Sequence, residues 1–114
     1  MGLFSPKQQE TTKRNNATKL KPGQKYNVIS SLNRELYHQA SFLTFDDALT
    51  KTIRIMKSYT TNSQMRDFVA EFNPNQKRAQ YSFDDFGLAF DRKANTIQSW
   101  SNVKGDVDVK VLVF

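Results

Sequence analysis

The stretch that constrains this chain most is residues 107–114, VDVKVLVF, where Val107, Val109, Val111 and Val113 take every second position. Successive side chains of a strand point to opposite faces, so a period of two reads as a β-strand with one apolar face. The other face carries Asp106, Asp108 and Lys110, joined at the end by Leu112 and Phe114. That is a half-buried alternation giving way to burial on both faces. A strand this apolar belongs inside a sheet, because an exposed edge of such composition invites aggregation. The rest of the chain is expected to extend that sheet or to cover it.

Candidate neighbours are easily found. Residues 86–90 and 96–100 flank Asp91-Arg92-Lys93-Ala94-Asn95, a loop with an Asn where a left-handed conformation often closes a hairpin. Gly87, inside the first of these strands, suggests a bulge or a close backbone approach. Upstream, Pro22-Gly23 marks the turn into the domain. Residues 25–32 then alternate, with Tyr26, Val28 and Leu32 on one face. Residues 35–43 place Leu36, Ala40 and Phe42 on a face with His38. Asn33-Arg34 between them is a hairpin-length link without the usual glycine.

The clearest helix begins at Thr44, a good N-cap residue followed by Asp46 and Asp47 in the first turn, where negative charge suits the positive helix end. Phe45, Leu49, Ile53 and Met56 lay one apolar stripe along it. Lys51, Arg54 and Lys57 share another flank near the C-terminal end, where they complement the helix dipole. Residues 64–72 fit a helix face through Met65, Phe68, Val69 and Phe72, and a strand through Phe68, Ala70 and Phe72; a short helix capped by Ser63 is the reading taken. Residues 73–78 form a surface loop, with Pro74 stopping what precedes it and Lys77 and Arg78 making a basic tip.

This order of elements predicts an α+β domain, a small mixed β-barrel or strongly curved sheet with one clear helix and a second, shorter one. A length of 114 residues suits one domain. Nine Phe, four Tyr and Trp100 supply much of its buried area despite a mean hydropathy of -0.66. Residues 5–22 have no apolar period and almost no large side chains, so ordering them would not be offset by burial. The division expected is a flexible basic tail over 1–22 and a single domain over 23–114.

The net charge of +6 is unevenly spread. Residues 1–25 hold Lys7, Lys13, Arg14, Lys19, Lys21 and Lys25 against Glu10 alone, which is +5, whereas residues 26–114 hold 11 basic and 10 acidic side chains, which is +1. A basic arm suits phosphates, because each neutralised phosphate releases counterions and strengthens binding. The candidate nucleic-acid contacts are therefore Lys13, Arg14, Lys19, Lys21 and Lys25 of the arm with Lys77, Arg78, Arg92 and Lys93 of two loop tips. Tyr59, Tyr81 and Trp100 are the rings available for stacking on bases.

Catalytic chemistry finds little support. There is no cysteine, so disulfides, thiolate metal sites and cysteine nucleophiles are excluded. His38 is the only histidine and sits on an apolar face, where packing and hydrogen bonding account for it; neither a metal nor a cofactor is expected. Asp84-Asp85 point to opposite faces if extended, and Asp46-Asp47 are explained by capping. Asp106 and Asp108 share a face, but a solvent-exposed face does not tune two carboxylates for acid and base work. No Gly-rich phosphate loop, nucleophile elbow or zinc-binding helix is present. No apolar run approaches the roughly 20 residues that span a bilayer, residues 1–4 are too short for a signal core, and Pro6 stands where a myristoylation start would carry Ser or Thr. The expectation is a cytoplasmic protein with no membrane partner.

The element order, opened by KPGQKYNVISSL, is similar to the small barrels of the PUA-like class. The length, polar start and Asn, Gln and Lys bias resemble the PrgU group, small regulators carried on conjugative plasmids of Gram-positive cocci. The resemblance spans residues 23–114 and implies a PUA-like fold, RNA binding to a single-stranded or structured transcript, and control of a plasmid-encoded surface adhesin at the transcript level. The related ASCH pattern G-x-K-x-x-E-x-R is met at Gly23 and Lys25 only, with Val28 and Ser30 where Glu and Arg would stand, so no ligand or hydrolase chemistry carries over. The expected function is a non-enzymatic RNA-binding regulator of bacterial, plasmid-borne type. The alternative is a regulator that binds a protein partner through an exposed strand or the polar helix flank.

Overall fold

The computed structural model describes residues 19–71, 73 and 75–114. Its six strands are β1 (Tyr26–Leu32), β2 (Glu35–Phe42), β3 (Arg78–Ser82), β4 (Phe86–Asp91), β5 (Thr96–Ser101) and β6 (Val107–Val113). They form one sheet in the order β2-β1-β6-β5-β4-β3, with every neighbouring pair antiparallel. The valine strand β6 is an inner strand, as its composition demands, and its partner on one side is the first strand of the fold. Two helices, α1 (Phe45–Lys57) and α2 (Asn62–Glu71), carry the chain from the β2 edge across to the β3 edge. The sheet is open and wholly antiparallel, so the expected mixed barrel is not formed: β2 and β3 remain edges because the helical crossover separates them by the full width of the sheet.

The two sheet faces differ. Val107, Val109 and Val111 are buried, as are Val28, Leu88, Phe90 and Ile97 on the same face. Helix α1 lies over β1, β2 and β5, burying Phe45, Ala48, Leu49, Thr52 and Met56, while the predicted Ile53 is half-buried. Thr52 is accommodated in this apolar layer because its hydroxyl is satisfied, donating to the Ala48 carbonyl at 2.9 Å. Phe68 of α2 covers the other half, edge-on to Tyr81 and to Phe86, each at 5.3 Å between centroids.

Caps set the helix starts. Thr44 accepts the Asp47 N–H, as expected from the sequence. For α2 the cap is not Ser63. Thr61 accepts the Gln64 N–H while Gln64 Oε1 accepts the Thr61 N–H, a reciprocal capping box that the spacing Thr-x-x-Gln spells out. Residues 72 and 74, on which the end of the predicted helix and its proline stop fall, lie outside the described residues, as do residues 1–18 of the expected tail. Leu20 packs against the core. The Pro22-Gly23 turn forms as read, with Gly23 at φ 85 and the Gln24 N–H donating to Lys21 O.

Three strand expectations change. Residues 78–82, read partly as loop, form β3, whose exposed-to-intermediate alternation is too weakly apolar to stand out. Leu36 does not share a face with Ala40 and Phe42: the register shifts between Ser30 and Ser31, so that Ser30 faces His38 but Ser31 faces Leu36. That bulge turns Leu36 outward, 62% exposed. His38 stays on the inner side as expected, with its Nε2 buried and that atom without a hydrogen-bond partner among the described residues. Leu112 and Phe114 are 47% and 62% exposed, so β6 is not buried on both faces at its end; no helix covers the outer side there.

The β1–β2 hairpin closes through Asn33 and Arg34, both left-handed at φ 51 and 72. This primed geometry matches the twist of the strands and overrides the missing glycine. The Asn33 side chain helps, accepting the Asp106 N–H at 2.9 Å. Arg34 gains no such support from its side chain and bears a left-handed penalty of about 1 kcal/mol. Arg34→Gly is expected to raise stability by about 1 kcal/mol in urea unfolding; a loss of stability would contradict this account of the turn.

Candidate nucleic-acid interface

Antiparallel pairing decides which loops share an end of the sheet. The β1 start meets the β6 end through a reciprocal pair of backbone bonds between Lys25 and Phe114. Tyr26, next along, donates its hydroxyl to Asn95 Oδ1 at 2.8 Å, which places the β4–β5 loop at the same end. The Arg92 N–H donates to Lys77 O, which adds the lead into β3. Lys19, Lys21, Lys25, Lys77, Arg78 and Lys93, scattered over the sequence, are therefore gathered at one end of the sheet, and all are exposed. Lys13 and Arg14 lie outside the described residues. The opposite end holds the Asn33-Arg34 turn, Asp84 and Asp85, and residues 102–106, tied by the Asn33 N–H to Asp106 O and the Asn102 N–H to Asp85 O. The sheet is thus basic at one end and richer in carboxylates at the other.

Arg92 is the exception among the expected contacts. It is fully buried at 0% exposure and is no part of an exposed tip. Its NH1 donates to Asp46 Oδ1 at 2.5 Å, its Nε donates to Gln76 O at 2.9 Å, and the guanidinium lies 5.0 Å from the Phe45 ring centroid and 5.8 Å from that of Phe90. An unpaired buried cation would cost several kcal/mol. Here a carboxylate, a carbonyl and two ring faces replace its water. Asp46, read from sequence as a helix-dipole residue, is thereby the counter-ion of a charge 46 positions away. The loop folds inward because Asn95 takes the left-handed conformation expected of it, at φ 56, and because Asp91 Oδ1 caps the turn by accepting the Lys93 and Ala94 N–H groups.

The candidate stacking rings also separate. Tyr59 is partly buried against the core, 6.0 Å from the Tyr37 ring. Burial and the neighbouring Tyr59 push the Tyr37 phenol up to about 12, and burial alone raises that of Tyr26. Tyr81 packs inward against Phe68, with its hydroxyl donating to Gln76 Oε1. Trp100 alone stands on the outer face, 38% exposed. Helix α1 carries Lys51, Arg54 and Lys57 in the layer on the other side of the sheet.

Sequence reasoning did not single out the outer face itself. A trough of about 730 Å³ crosses β3, β4, β5 and β6 there, bordered by Arg78, Gln80, Ala89, Asp91, Gln98 and Lys110. A second hollow of about 230 Å³ shares Gln80, Ala89, Gln98 and Lys110 with it and ends at Trp100 and Asp108. A third, of about 350 Å³, holds Arg34, Trp100, Asp106 and Asp108, with both carboxylates exposed. The signal was present in the period-two placement of Gln80, Gln98 and Lys110, each on the polar side of its strand.

Among the described residues, no three His, Asp or Glu side chains come together as metal ligands, and no helix is long and apolar enough to cross a membrane. Comparison of the chain with protein-family models, with curated proteins and with solved structures finds no match.

Removing the Asp46 carboxylate takes a counter-charge away from the buried Arg92. Because Asp46 is 26% exposed and water can reach the site, the cost falls at the lower end of the range for broken buried pairs, about 3 kcal/mol. Asp46→Ala is expected to lose that much in urea unfolding while Lys93→Ala loses almost nothing; equal effects would show that the pair does not brace the fold.

Proposed function

We propose that this domain is a non-enzymatic RNA-binding regulator, with the basic end of the sheet as its phosphate-contacting surface. One observation supports this reading above the others: antiparallel pairing gathers Lys19, Lys21, Lys25, Lys77, Arg78 and Lys93 at one end of the sheet. Of the carboxylates at that end, Asp46 is engaged by Arg92 and Asp91 is turned to its own loop, which leaves Asp47 exposed against six cations. A positive surface of this kind draws a polyanion by counterion release and steers its approach. The sequence before residue 19 contributes further cations, Lys13 and Arg14 among them, to the charge that an RNA would meet.

The exposure of Asp106 and Asp108 favours a binding role over catalysis, because carboxylates in water are not tuned for proton transfer. Through its resemblance to the PrgU group, the reading extends to a PUA-like relationship of the fold and to cytoplasmic, post-transcriptional control of a plasmid-encoded surface adhesin. A protein-binding regulator is the second reading. It is favoured by the open β2 edge, where Leu36 and Tyr37 are 62% and 39% exposed and could accept an added strand.

Salt dependence tests the choice. Binding of single-stranded RNA is expected to weaken linearly on a log-log plot of affinity against salt, with a slope of about -0.7 for each phosphate contacted. Replacing Lys77, Arg78 and Lys93 together by Ala is expected to flatten that slope by about 2. A protein that binds no RNA at low salt, or a triple variant with an unchanged slope, would overturn the proposal.

A further inference from the structure

Trp100 and Gly87 are directly opposed on β5 and β4 of the uncovered sheet face. The indole lies so close over Gly87 that a Cβ there would sit 2.8 Å from its Cε2 and closer still to its Nε1. Only glycine leaves room for the ring to lie against the strand. One side of the indole is thereby held by the β4 backbone, and the residue keeps 38% of its surface exposed. The result is a large, rigid ring held flat on the outer face with its other side open to a ligand.

The surroundings indicate what would cover it. Trp100 closes the hollow that joins the trough at Gln80, Gln98 and Lys110, and the trough opens at Arg78 toward the basic end. Gln side chains both donate and accept, as the edges of nucleobases do. The neighbour across from Trp100 on β6 is Asp108, whose negative charge disfavours a phosphate beside the ring. Phosphates are thus drawn chiefly to the Arg78 end of the trough, while the hollow beyond Trp100 holds Asp106 and Asp108 together with Arg34.

We infer that the trough is a single-strand track in which the RNA backbone is held at the basic end and an unpaired base stacks on Trp100, with Gln80 and Gln98 facing its edge. The inference rests on the RNA-binding reading and adds a base-binding site to it. Stacking on an aromatic ring tolerates any base, which suits a loop or single-stranded stretch of a transcript rather than a duplex.

Trp100 is the only tryptophan in the chain, so its emission reports the site directly. The full chain is titrated with a single-stranded RNA decamer and, separately, with inorganic polyphosphate. RNA is expected to quench the emission, and polyphosphate, which offers charge without bases, is not. In anisotropy titrations with labelled RNA, Trp100→Ala is expected to weaken binding about 10-fold or more, Trp100→Phe to restore most of it, and Gly87→Val, which takes the indole's seat, to behave as Trp100→Ala does. Should Gly87→Val not fold, the two Trp100 variants decide. RNA binding with unchanged emission, equal quenching by polyphosphate, or full affinity in Trp100→Ala would overturn the stacking site and leave the basic end standing. Absence of RNA binding altogether would overturn both.

Discussion

The fold's basic end depends on one buried charge. Arg92 fastens three separate pieces of chain: Asp46 at the start of α1, the Gln76 and Lys77 carbonyls leading into β3, and its own loop between β4 and β5. Nothing about burying a guanidinium is favourable in itself, since its water must be given up. It is tolerated because Phe45 and Phe90 provide ring faces and Asp46 a counter-charge. With the helix layer and the β3 edge held to one loop, Lys77, Arg78 and Lys93 are kept near each other. Arg92 thus contributes to a basic surface by leaving it.

The sheet that carries this surface is asymmetric. Its inner face is filled with valine, leucine and phenylalanine beneath two helices, whose packing supplies the main stabilising burial. Its outer face carries a trough of mixed polar and apolar lining, a glycine-seated indole and exposed Leu112. Charge along the strand direction is uneven as well, with more cations at one end and more carboxylates at the other. A ligand that offers phosphates and flat rings at different points along its length matches both gradients at once.

Much of the fold was legible in local pattern. The period of two in β6 marked an inner strand, Thr44 and the stripe from Phe45 to Met56 marked α1, and Asn95 marked the hairpin loop. What escaped notice depends on partners far off in sequence. The bulge at Ser30 and Ser31, which turns Leu36 outward, arises from pairing with β2. β3 is weak alone and is defined by β4 beside it. The layout of the candidate cations was legible in part: six of them lie at one end of the sheet, because hairpin ends share it, whereas Arg92 looked like any loop cation until Asp46 and Phe45 were brought against it. The open barrel follows similarly, since no local pattern says whether two sheet edges meet.

The central claim is that RNA meets the basic end and the outer face of β3 to β6, and it is tested most directly by mapping contacts along the backbone. Amide proton and nitrogen resonances of the full chain would be followed while a single-stranded RNA decamer is added. The account predicts shifts at Lys77, Arg78, Lys93, Gln98, Trp100 and Lys110, with Lys51, Arg54 and Lys57 on the opposite layer unmoved. Shifts confined to α1 or to the β2 edge would contradict it.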